Sequence, residues 1–289
     1  MQKKVIFVAG TSFSGSTMLD MTLANDPKGY SLGEIHALMR PYRKHHFKER
    51  ERLKTDKIWG KIINDGEKKL YKNLFNLMPE YDYFVDSSKN PNWIKNHINN
   101  LNEMGVENHC VLIYKSPDEI FASFKKRNRT KQWEKSYINY HRLFFSLINN
   151  FIPISYRSFA TNEESNKRLF ELLNLTYSPN KREFWQKEHK TFFGNNRTRI
   201  HSNLTRLGND GNIDLIGNNE KIKSINYTTS EVMVDTSSIT KNIYQFLNSK
   251  ELITINKPKS LKFSFPILTL YNLKYQLQNF LTRLQICLK

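Results

Sequence analysis

The chain has 289 residues, enough to bury a full α/β core in one domain with insertions. Its two cysteines, Cys110 and Cys287, are too few for a disulfide framework, and no run of about 18 apolar residues offers a membrane-spanning helix. The formal net charge of +18 predicts an acidic partner: a nucleotide, an anionic glycan, a nucleic acid or a membrane surface. Because the first strand begins without a preceding signal segment, we expect a cytoplasmic protein.

The amino-terminal segment is typical of a buried strand, a glycine-bracketed turn and a helix start. Apolar residues run without interruption from Val5 to Ala9, as in a central strand covered on both faces. Gly10 and Gly15 follow at the G-x-x-x-x-G spacing of a Walker A loop, in which backbone N–H groups close around an anion. The alternative is an ordinary strand-to-helix turn rich in small residues, but the spacing favours a phosphate or sulfate site.

The residue after the second glycine indicates which anion the loop suits. Walker A proteins have a lysine there, which reaches the β- and γ-phosphates, and then a serine or threonine that binds magnesium. Here the pair is Ser16 and Thr17, so the loop predicts anion binding without ATP cleavage. Together with Ser14, these hydroxyls add donors at the positive end of the following helix.

Further along the chain, predicted helices alternate with strands that end in polar residues. A helix is predicted over 18–24, and residues 34–78 are predicted to be mostly helical. Three more strands are predicted, at 83–85, 109–114 and 151–156. Because parallel strands bring their carboxyl ends to one edge of a sheet, the pattern predicts a P-loop-like, three-layer α/β/α fold with a mostly parallel central sheet.

The predicted α/β domain covers residues 1–210, with 35–78 as a helical insertion. Residues 211–289 form a C-terminal extension that we expect to be mostly helical and packed on the same domain. Apolar residues between 270 and 288 recur at helical spacing, which predicts a helix packed on the core or on a second subunit in a homodimer. The lysines of this tail leave contact with a membrane surface as a minor alternative.

These segments together resemble sulfotransferases that use 3′-phosphoadenosine 5′-phosphosulfate (PAPS), nearest to the bacterial and tyrosylprotein branch. The resemblance covers residues 4–200. In that family a Pro-Arg-Ser-Gly-Thr-Thr-like loop holds the 5′-phosphosulfate, which implies donor contacts here from Thr11, Ser12, Phe13, Ser14, Gly15, Ser16 and Thr17. Phe13 stands where the family commonly has a basic residue, so another cation must serve, and Lys89 is the candidate.

The resemblance also implies the catalytic residues. A Gly-Glu pair whose carboxylate acts as base is matched by Gly33 and Glu34, and an Asn-Lys-Asp-Pro-like segment is matched around Lys89. We expect burial to raise the pKa of Glu34, so that it accepts the proton of the acceptor hydroxyl. His36 is the competing base, because cytosolic members of the family use histidine. Glu34 could instead be a helix N-terminal acid that complements the helix dipole.

The remaining matches concern the nucleotide. In the family, an arginine and a serine hold the 3′-phosphate and a tyrosine lines the pocket. Lys115, Ser123 and Tyr156 match them, although lysine lacks the bidentate geometry of arginine. A Gly-Asn-x-x-Arg element is matched from Gly194 with its arginine one residue out of step, which leaves as candidates Asn195, Arg197 and Arg199.

The function that this resemblance implies is transfer of a sulfuryl group from PAPS to a hydroxyl acceptor. No metal is expected, because amides and lysine can neutralise the leaving phosphate. The acceptor stays open among a glycan, a peptide tyrosine and a small molecule, although the basic segment 40–54 suggests an anionic glycan or acidic peptide. Two other classes remain: a P-loop kinase or NTPase, for which Asp86 is the candidate magnesium ligand, and a non-enzymatic binder of polyanions or nucleic acid.

Overall fold

The structure, a computed structural model, describes residues 2–194, 206–207, 213–214 and 233–256. Its main sheet has the strand order β2-β3-β1-β4-β5-β8, in which the first five strands are parallel and the last pairs antiparallel with β5. A separate antiparallel pair is formed by β6 and β7. The strands are β1 (Lys4–Ala9), β2 (Gly29–Gly33), β3 (Tyr83–Asp86), β4 (Glu107–Tyr114), β5 (Asn150–Ser155), β6 (Arg206–Leu207), β7 (Ile213–Asp214) and β8 (Ile255–Asn256).

Helices fill the connections between the strands and form most of the segment between β2 and β3. None of those within the described ranges is long and apolar enough to cross a membrane. They are α1 (Ser16–Leu23), α2 (Ile35–Met39), α3 (Lys44–Leu53), α4 (Trp59–Asp65), α5 (Leu70–Leu77), α6 (Pro91–Glu103), α7 (Pro117–Lys125), α8 (Trp133–Leu147), α9 (Tyr156–Thr161), α10 (Glu163–Leu172) and α11 (Ser238–Ser249).

Strand β1 shows why the chain forms three layers. All six of its residues are buried. Val5, Phe7 and Ala9 belong to one apolar cluster, whereas Ile6 and Val8 belong to another. Because successive side chains of a strand point to opposite faces, the uninterrupted apolar run requires helices on both sides of the sheet. The predicted α/β fold with a mostly parallel central sheet is confirmed.

Strand β2 was not predicted from the sequence. Its residues, Gly-Tyr-Ser-Leu-Gly, contain two glycines and no β-branched side chain, so they lack the usual strand pattern. Tertiary packing determines the position of this strand instead. A Cβ on Gly29 would lie 2.5 Å from Cζ of Tyr83, so only glycine lets the strand lie this close to the tyrosine ring. The consequence is functional, because Glu34 directly follows this edge strand.

The described part of the C-terminal extension packs on the α/β domain. Ser237 caps α11, and both its N–H and its hydroxyl donate to Oε1 of Glu134 on α8, each at 2.8 Å. Ile243 and Leu247 of α11 are fully buried in the main apolar cluster. The proposed boundary at residue 210 stays a prediction, and the apolar repeat between 270 and 288 lies outside the described residues.

Asp86, at the end of β3, is fully buried and serves the fold. Its carboxylate accepts hydrogen bonds from the Tyr71 hydroxyl at 2.6 Å, from Nε1 of Trp93 at 2.7 Å and from the Ser88 N–H at 2.8 Å. Burial raises the pKa of this carboxyl group, and the three donors oppose that shift. With this many donors around it, Asp86 ties α5 and α6 to the sheet.

Asp86→Ala should lower the free energy of unfolding by about 3 kcal/mol or more, because three buried donors lose their acceptor. The matched control is Asp82→Ala, just before β3. Asp82 accepts from Nζ of Lys3 at 3.3 Å near the surface, and such pairs contribute at most about 1 kcal/mol. Urea unfolding of both variants measures the difference. Equal losses would contradict a structural role for Asp86.

Candidate functional site

The carboxyl ends of all five parallel strands open into a single cleft of about 1500 Å³. Each strand delivers predicted site residues to it: the anion loop follows β1, and at least one candidate side chain follows each of the other four. Predicted residues that line the cleft are Thr11, Ser12, Phe13, Gly15, Ser16, Thr17, Glu34, His36, Lys89, Lys115, Ser123 and Tyr156. Ser14 of the loop is fully buried and does not line the cleft, whereas Asn195, Arg197 and Arg199 lie outside the described residues.

The anion loop combines unused backbone donors with a close aromatic contact. Within the described part of the chain, no protein acceptor meets the N–H groups of Ser12, Phe13, Gly15 and Ser16. Gly15 has φ 102°, and a Cβ there would lie 2.3 Å from Cδ2 of Tyr156. Glycine is therefore required for both its left-handed backbone and the ring above it. These N–H groups give the loop the donor set of an anion nest.

Lys115, Ser123 and Tyr156 meet on one side of the loop. Nζ of Lys115 donates to Oγ of Ser123 at 3.3 Å and lies 4.5 Å from the centre of the Tyr156 ring. Burial lowers the pKa of Lys115 to about 8, and the nearby charges of Arg127 and Lys126 contribute to the shift. The site thus holds a partly desolvated ammonium beside a hydroxyl, a combination that suits a phosphate.

Local capping explains how Ser123 faces Lys115. Oγ of Ser116 accepts the N–H of Glu119 at 3.3 Å, and Oε2 of Glu119 accepts the N–H of Ser116 at 2.9 Å, which is a complete capping box. Pro117 follows in the first turn of α7. The helix therefore starts directly after Lys115 and brings Ser123 back over the end of β4.

Glu34 and Lys89 form an ion pair on the other side of the loop. The ammonium of Lys89 donates to Oε1 of Glu34, and the side chains of Lys89 and Glu34 are only 21% and 18% exposed, respectively. Burial favours the neutral carboxyl group, but the charge and hydrogen bond of Lys89 outweigh it and lower the pKa of Glu34. The prediction that burial raises this pKa is wrong, because a cation lies against the carboxylate. Glu34 is ionised at neutral pH.

The backbone of Glu34 is held from two directions. Its N–H donates to the carbonyl of Phe192 at 2.7 Å, and the N–H of Ser87 donates to the carbonyl of Gly33 at 2.9 Å. Glu34 stands at the N-cap of α2, but its side chain makes no capping hydrogen bond. Its carboxylate pairs with Lys89 instead, which argues against the simple role of a helix N-terminal acid.

His36 also lines the cleft, as a buried and neutral imidazole. Burial lowers its pKa to about 4. Its Nδ1 has no hydrogen-bond partner among the described residues, and its ring lies 5.8 Å from that of Tyr42 in a stacked arrangement. An uncharged imidazole with an unused nitrogen can accept a proton, so the geometry leaves both Glu34 and His36 eligible as base.

Arg127 is a cleft residue that the sequence reasoning missed. Its guanidinium lies 4.0 Å from the centre of the Phe13 ring, which also packs edge-on against Phe124 at 5.1 Å. Lys126 and Arg129 line the same wall. The available signal was the basic run from Lys125 to Arg129 just beyond Ser123. A cation therefore stands over Phe13, although the loop itself has no basic residue at this position.

Residues 192–194 lead to the candidates Asn195, Arg197 and Arg199, and they lie beside Gly33 and the anion loop. Phe192 forms a parallel bridge with Gly33, and two residues later a Cβ on Gly194 would lie 3.1 Å from Oγ1 of Thr17. Asn195 is the next residue in the chain. In residues 2–194 and 233–256, no group of three His, Cys, Asp or Glu side chains is arranged to hold a metal ion.

A scan of protein families and a search of curated proteins found no match. Among solved structures, the sulfotransferase domain from the curacin biosynthetic pathway has a TM-score of 0.53 at 15% identity, over 85% of this chain and 98% of that domain. The sulfotransferase domain from the Synechococcus PCC 7002 olefin synthase has a TM-score of 0.58 at 11% identity, over 86% and 94%. The chain has a sulfotransferase-like fold. The likeness does not extend to the tyrosylprotein branch, the donor or the acceptor.

If the loop holds the 5′-phosphate, as the resemblance implies, Gly15→Ala should weaken binding of 3′-phosphoadenosine 5′-phosphate (PAP) at least about tenfold, because the new methyl group displaces Tyr156 and distorts the loop. The control is Gly105→Ala, where φ is 66° but a Cβ would meet nothing within 4 Å. It carries the same kind of backbone strain, about 1–2 kcal/mol, without the clash. Calorimetry and thermal unfolding separate the two effects. Unchanged binding in Gly15→Ala would contradict the assignment of the loop.

Proposed function

We propose that this protein transfers the sulfuryl group of PAPS to a hydroxyl acceptor. The observation that carries the proposal is the convergence of five parallel strands on one cleft, where a lysine-free amide loop lies between two cationic sites. Lys115 and Ser123 form one of these sites, and Lys89 with Glu34 forms the other. PAPS carries two separate anionic groups, and the loop and the Lys115 site offer one position for each. The sulfotransferase-like fold supports the same reading.

The donor contacts follow from charge and geometry. The unused N–H groups of the loop would hold the phosphosulfate, and Lys115 with Ser123 would hold the 3′-phosphate beside Tyr156. As the bond between sulfur and the leaving phosphate breaks, negative charge accumulates on that phosphate. Preorganised amides and the ammonium of Lys89 oppose this charge, and one such donor is typically worth about 3–4 kcal/mol. Arg127, above Phe13, adds positive potential to the same region.

The acceptor requires a base. A new bond forms between the acceptor oxygen and sulfur, PAP leaves, and the hydroxyl proton passes to the protein. Glu34 is ionised and partly desolvated, so its carboxylate can take this proton, a contribution of about 10²- to 10⁴-fold in rate. Lys89 then contacts both the base and the leaving group. Neutral His36 is the alternative proton acceptor.

The acceptor itself is proposed only as a hydroxyl compound, either a glycan, a peptide tyrosine or a small molecule. The basic segment 40–54 gives less support for an anionic acceptor than its composition suggests. Arg40 pairs with Glu67 at 2.5 Å, Arg52 with Glu49 at 2.6 Å, and Lys54 with Glu51 at 2.8 Å. Much of its positive charge is thus balanced by neighbouring carboxylates.

The kinase alternative loses its magnesium ligand in this structure. It requires a carboxylate exposed beside the anion loop, but Asp86 is buried under three hydrogen-bond donors and does not line the cleft. No lysine of the loop contacts the position of a γ-phosphate, because residues 10–17 contain none. PAP and ATP therefore discriminate the two functions.

Calorimetric titration should show that PAP binds more tightly than ATP with magnesium. Lys115→Ala should weaken PAP binding about 10- to 100-fold, since hydrogen bonds to charged groups contribute about 1.5–3 kcal/mol. Lys125→Ala, which removes an exposed lysine at the end of α7, is the control and should bind like the wild type. A preference for ATP with magnesium would instead support the kinase function.

The affinity for PAP should fall as the pH rises through about 8, the lowered pKa of Lys115. Below that pH the ammonium is charged and attracts the 3′-phosphate, whereas above it the neutral amine does not. Lys115→Arg keeps its charge throughout this range and should remove the decline. Titrations between pH 7 and about 9.5 provide the comparison. Parallel curves for the two proteins would exclude Lys115 as the titrating contact.

A further inference from the structure

The hydroxyl group of Tyr140, on α8, bonds to the backbone of two separate segments of the cleft, at Gly10 and at Lys89. The N–H of Gly10, at the start of the anion loop, donates to this hydroxyl oxygen at 2.7 Å. The hydroxyl in turn donates to the backbone carbonyl of Lys89 at 2.9 Å. Tyr140 lies in the wall of the cleft. One oxygen atom thus links Gly10, directly after β1, to Lys89, three residues after β3.

The direction of both hydrogen bonds is fixed by chemistry. The N–H of Gly10 can only donate and the carbonyl of Lys89 can only accept, so the single hydroxyl proton of Tyr140 must point to Lys89. Burial raises the pKa of Tyr140, which keeps the hydroxyl protonated. Its ring packs parallel to that of Phe144, with the ring centres 6.2 Å apart, and edge-on against that of His141 at 5.6 Å. The ring is therefore held in place independently of the hydroxyl.

The backbone of Lys89 needs such support. Its φ is 62°, in the left-handed region that residues with a side chain rarely adopt. This conformation costs about 1–3 kcal/mol and persists only where the surroundings enforce it. It also turns the side chain so that the ammonium reaches Glu34. The hydrogen bond to the Lys89 carbonyl is one of the contacts that hold this turn.

We propose that Tyr140 is a positioning residue that sets Lys89 relative to the anion loop, so that one ammonium faces both Glu34 and an anion in the loop. The catalytic consequence rests on the proposed function, whereas the effect on Lys89 does not. Without the hydroxyl, Gly10 and Lys89 lose their shared partner, the turn at Lys89 relaxes, and the ammonium withdraws from Glu34.

The charge of the Lys89 ammonium lowers the pKa of Glu34, so a titration of Glu34 shows whether the ammonium stays beside it. Four titratable groups of the described residues face its carboxylate: Lys89 after β3, His36 on α2, and His45 and His46 on α3. Burial lowers the pKa of all three histidines, to about 4 for His36 and about 3 for His46. They are therefore neutral near pH 7, and withdrawal of Lys89 must raise the pKa of Glu34.

The test follows the Glu34 carboxyl carbon by NMR in protein labelled with ¹³C-glutamate, with Glu34→Gln to assign the signal. In Tyr140→Phe the pKa of Glu34 should rise toward its ordinary value. The control, Tyr137→Phe, removes the hydroxyl of a buried tyrosine one turn earlier on α8, which has no hydrogen-bond partner in the described part of the chain, and should leave the titration unchanged. An unchanged titration in Tyr140→Phe would overturn the proposal.

A double-mutant comparison shows whether the effect passes through Lys89. Lys89→Met alone should also raise the pKa of Glu34, and adding Tyr140→Phe should produce no further shift. A second shift of similar size would mean that Tyr140 acts on Glu34 by another route. In the wild type, hydrogen exchange at the Gly10 amide should be slow. Rapid exchange would overturn the proposal even if Tyr140→Phe fails to fold.

Activity and PAP affinity separate this inference from the proposed function. If the protein transfers sulfuryl groups, Tyr140→Phe should lower kcat about tenfold, the loss expected for one hydrogen bond worth about 1.4 kcal/mol, and Tyr137→Phe should not. A wild type that neither binds PAP nor transfers sulfate defeats the proposed function only. The NMR titration, which needs no donor, still decides the role of Tyr140.

Discussion

The central sheet is covered on both faces, and this constraint determines where function can reside. Every residue of β1 is buried, and its alternate side chains enter separate apolar clusters. Polar groups within such a sheet would lose their contacts with water, so they can only gather where the strands end. Because all five parallel strands end at the same edge, their terminal residues meet in one cleft. The anion loop, Glu34, Lys89, Lys115 and Tyr156 come together for this reason.

Within that cleft, partial burial and neighbouring charges shift the pKa of each titratable side chain. For Lys115, desolvation outweighs the opposing charge of Glu119, and its pKa falls. Glu34 is desolvated as well, but the adjacent ammonium of Lys89 reverses the outcome and keeps it ionised. For His36, burial outweighs the opposing charge of Glu34, so its imidazole is neutral. The site therefore combines a cation of lowered basicity, an ionised acid and an uncharged imidazole within one cleft.

The sequence revealed the parts of this molecule that depend on local pattern. The apolar runs predicted β1, β3, β4 and β5, and the glycine spacing predicted the loop. Strand β2 has no such run. Its place depends on the contact between Gly29 and Tyr83, two residues far apart in the chain. The contact of Arg127 with Phe13 and the effect of Lys89 on Glu34 are likewise tertiary, so no local pattern encodes them. The residues that form the site were therefore easier to predict from the sequence than their ionisation and contacts.

The backbone contact between Glu34 and Phe192 has a mechanical consequence. The carbonyl of Phe192 accepts the Glu34 N–H, and Gly194, two peptide units later, reaches Thr17 at the helix start of the anion loop. The three residues 192–194 therefore lie against both the backbone of Glu34 and the side chain of Thr17. A side chain at position 194 would therefore press on Thr17 two residues away from the carbonyl that holds the Glu34 backbone.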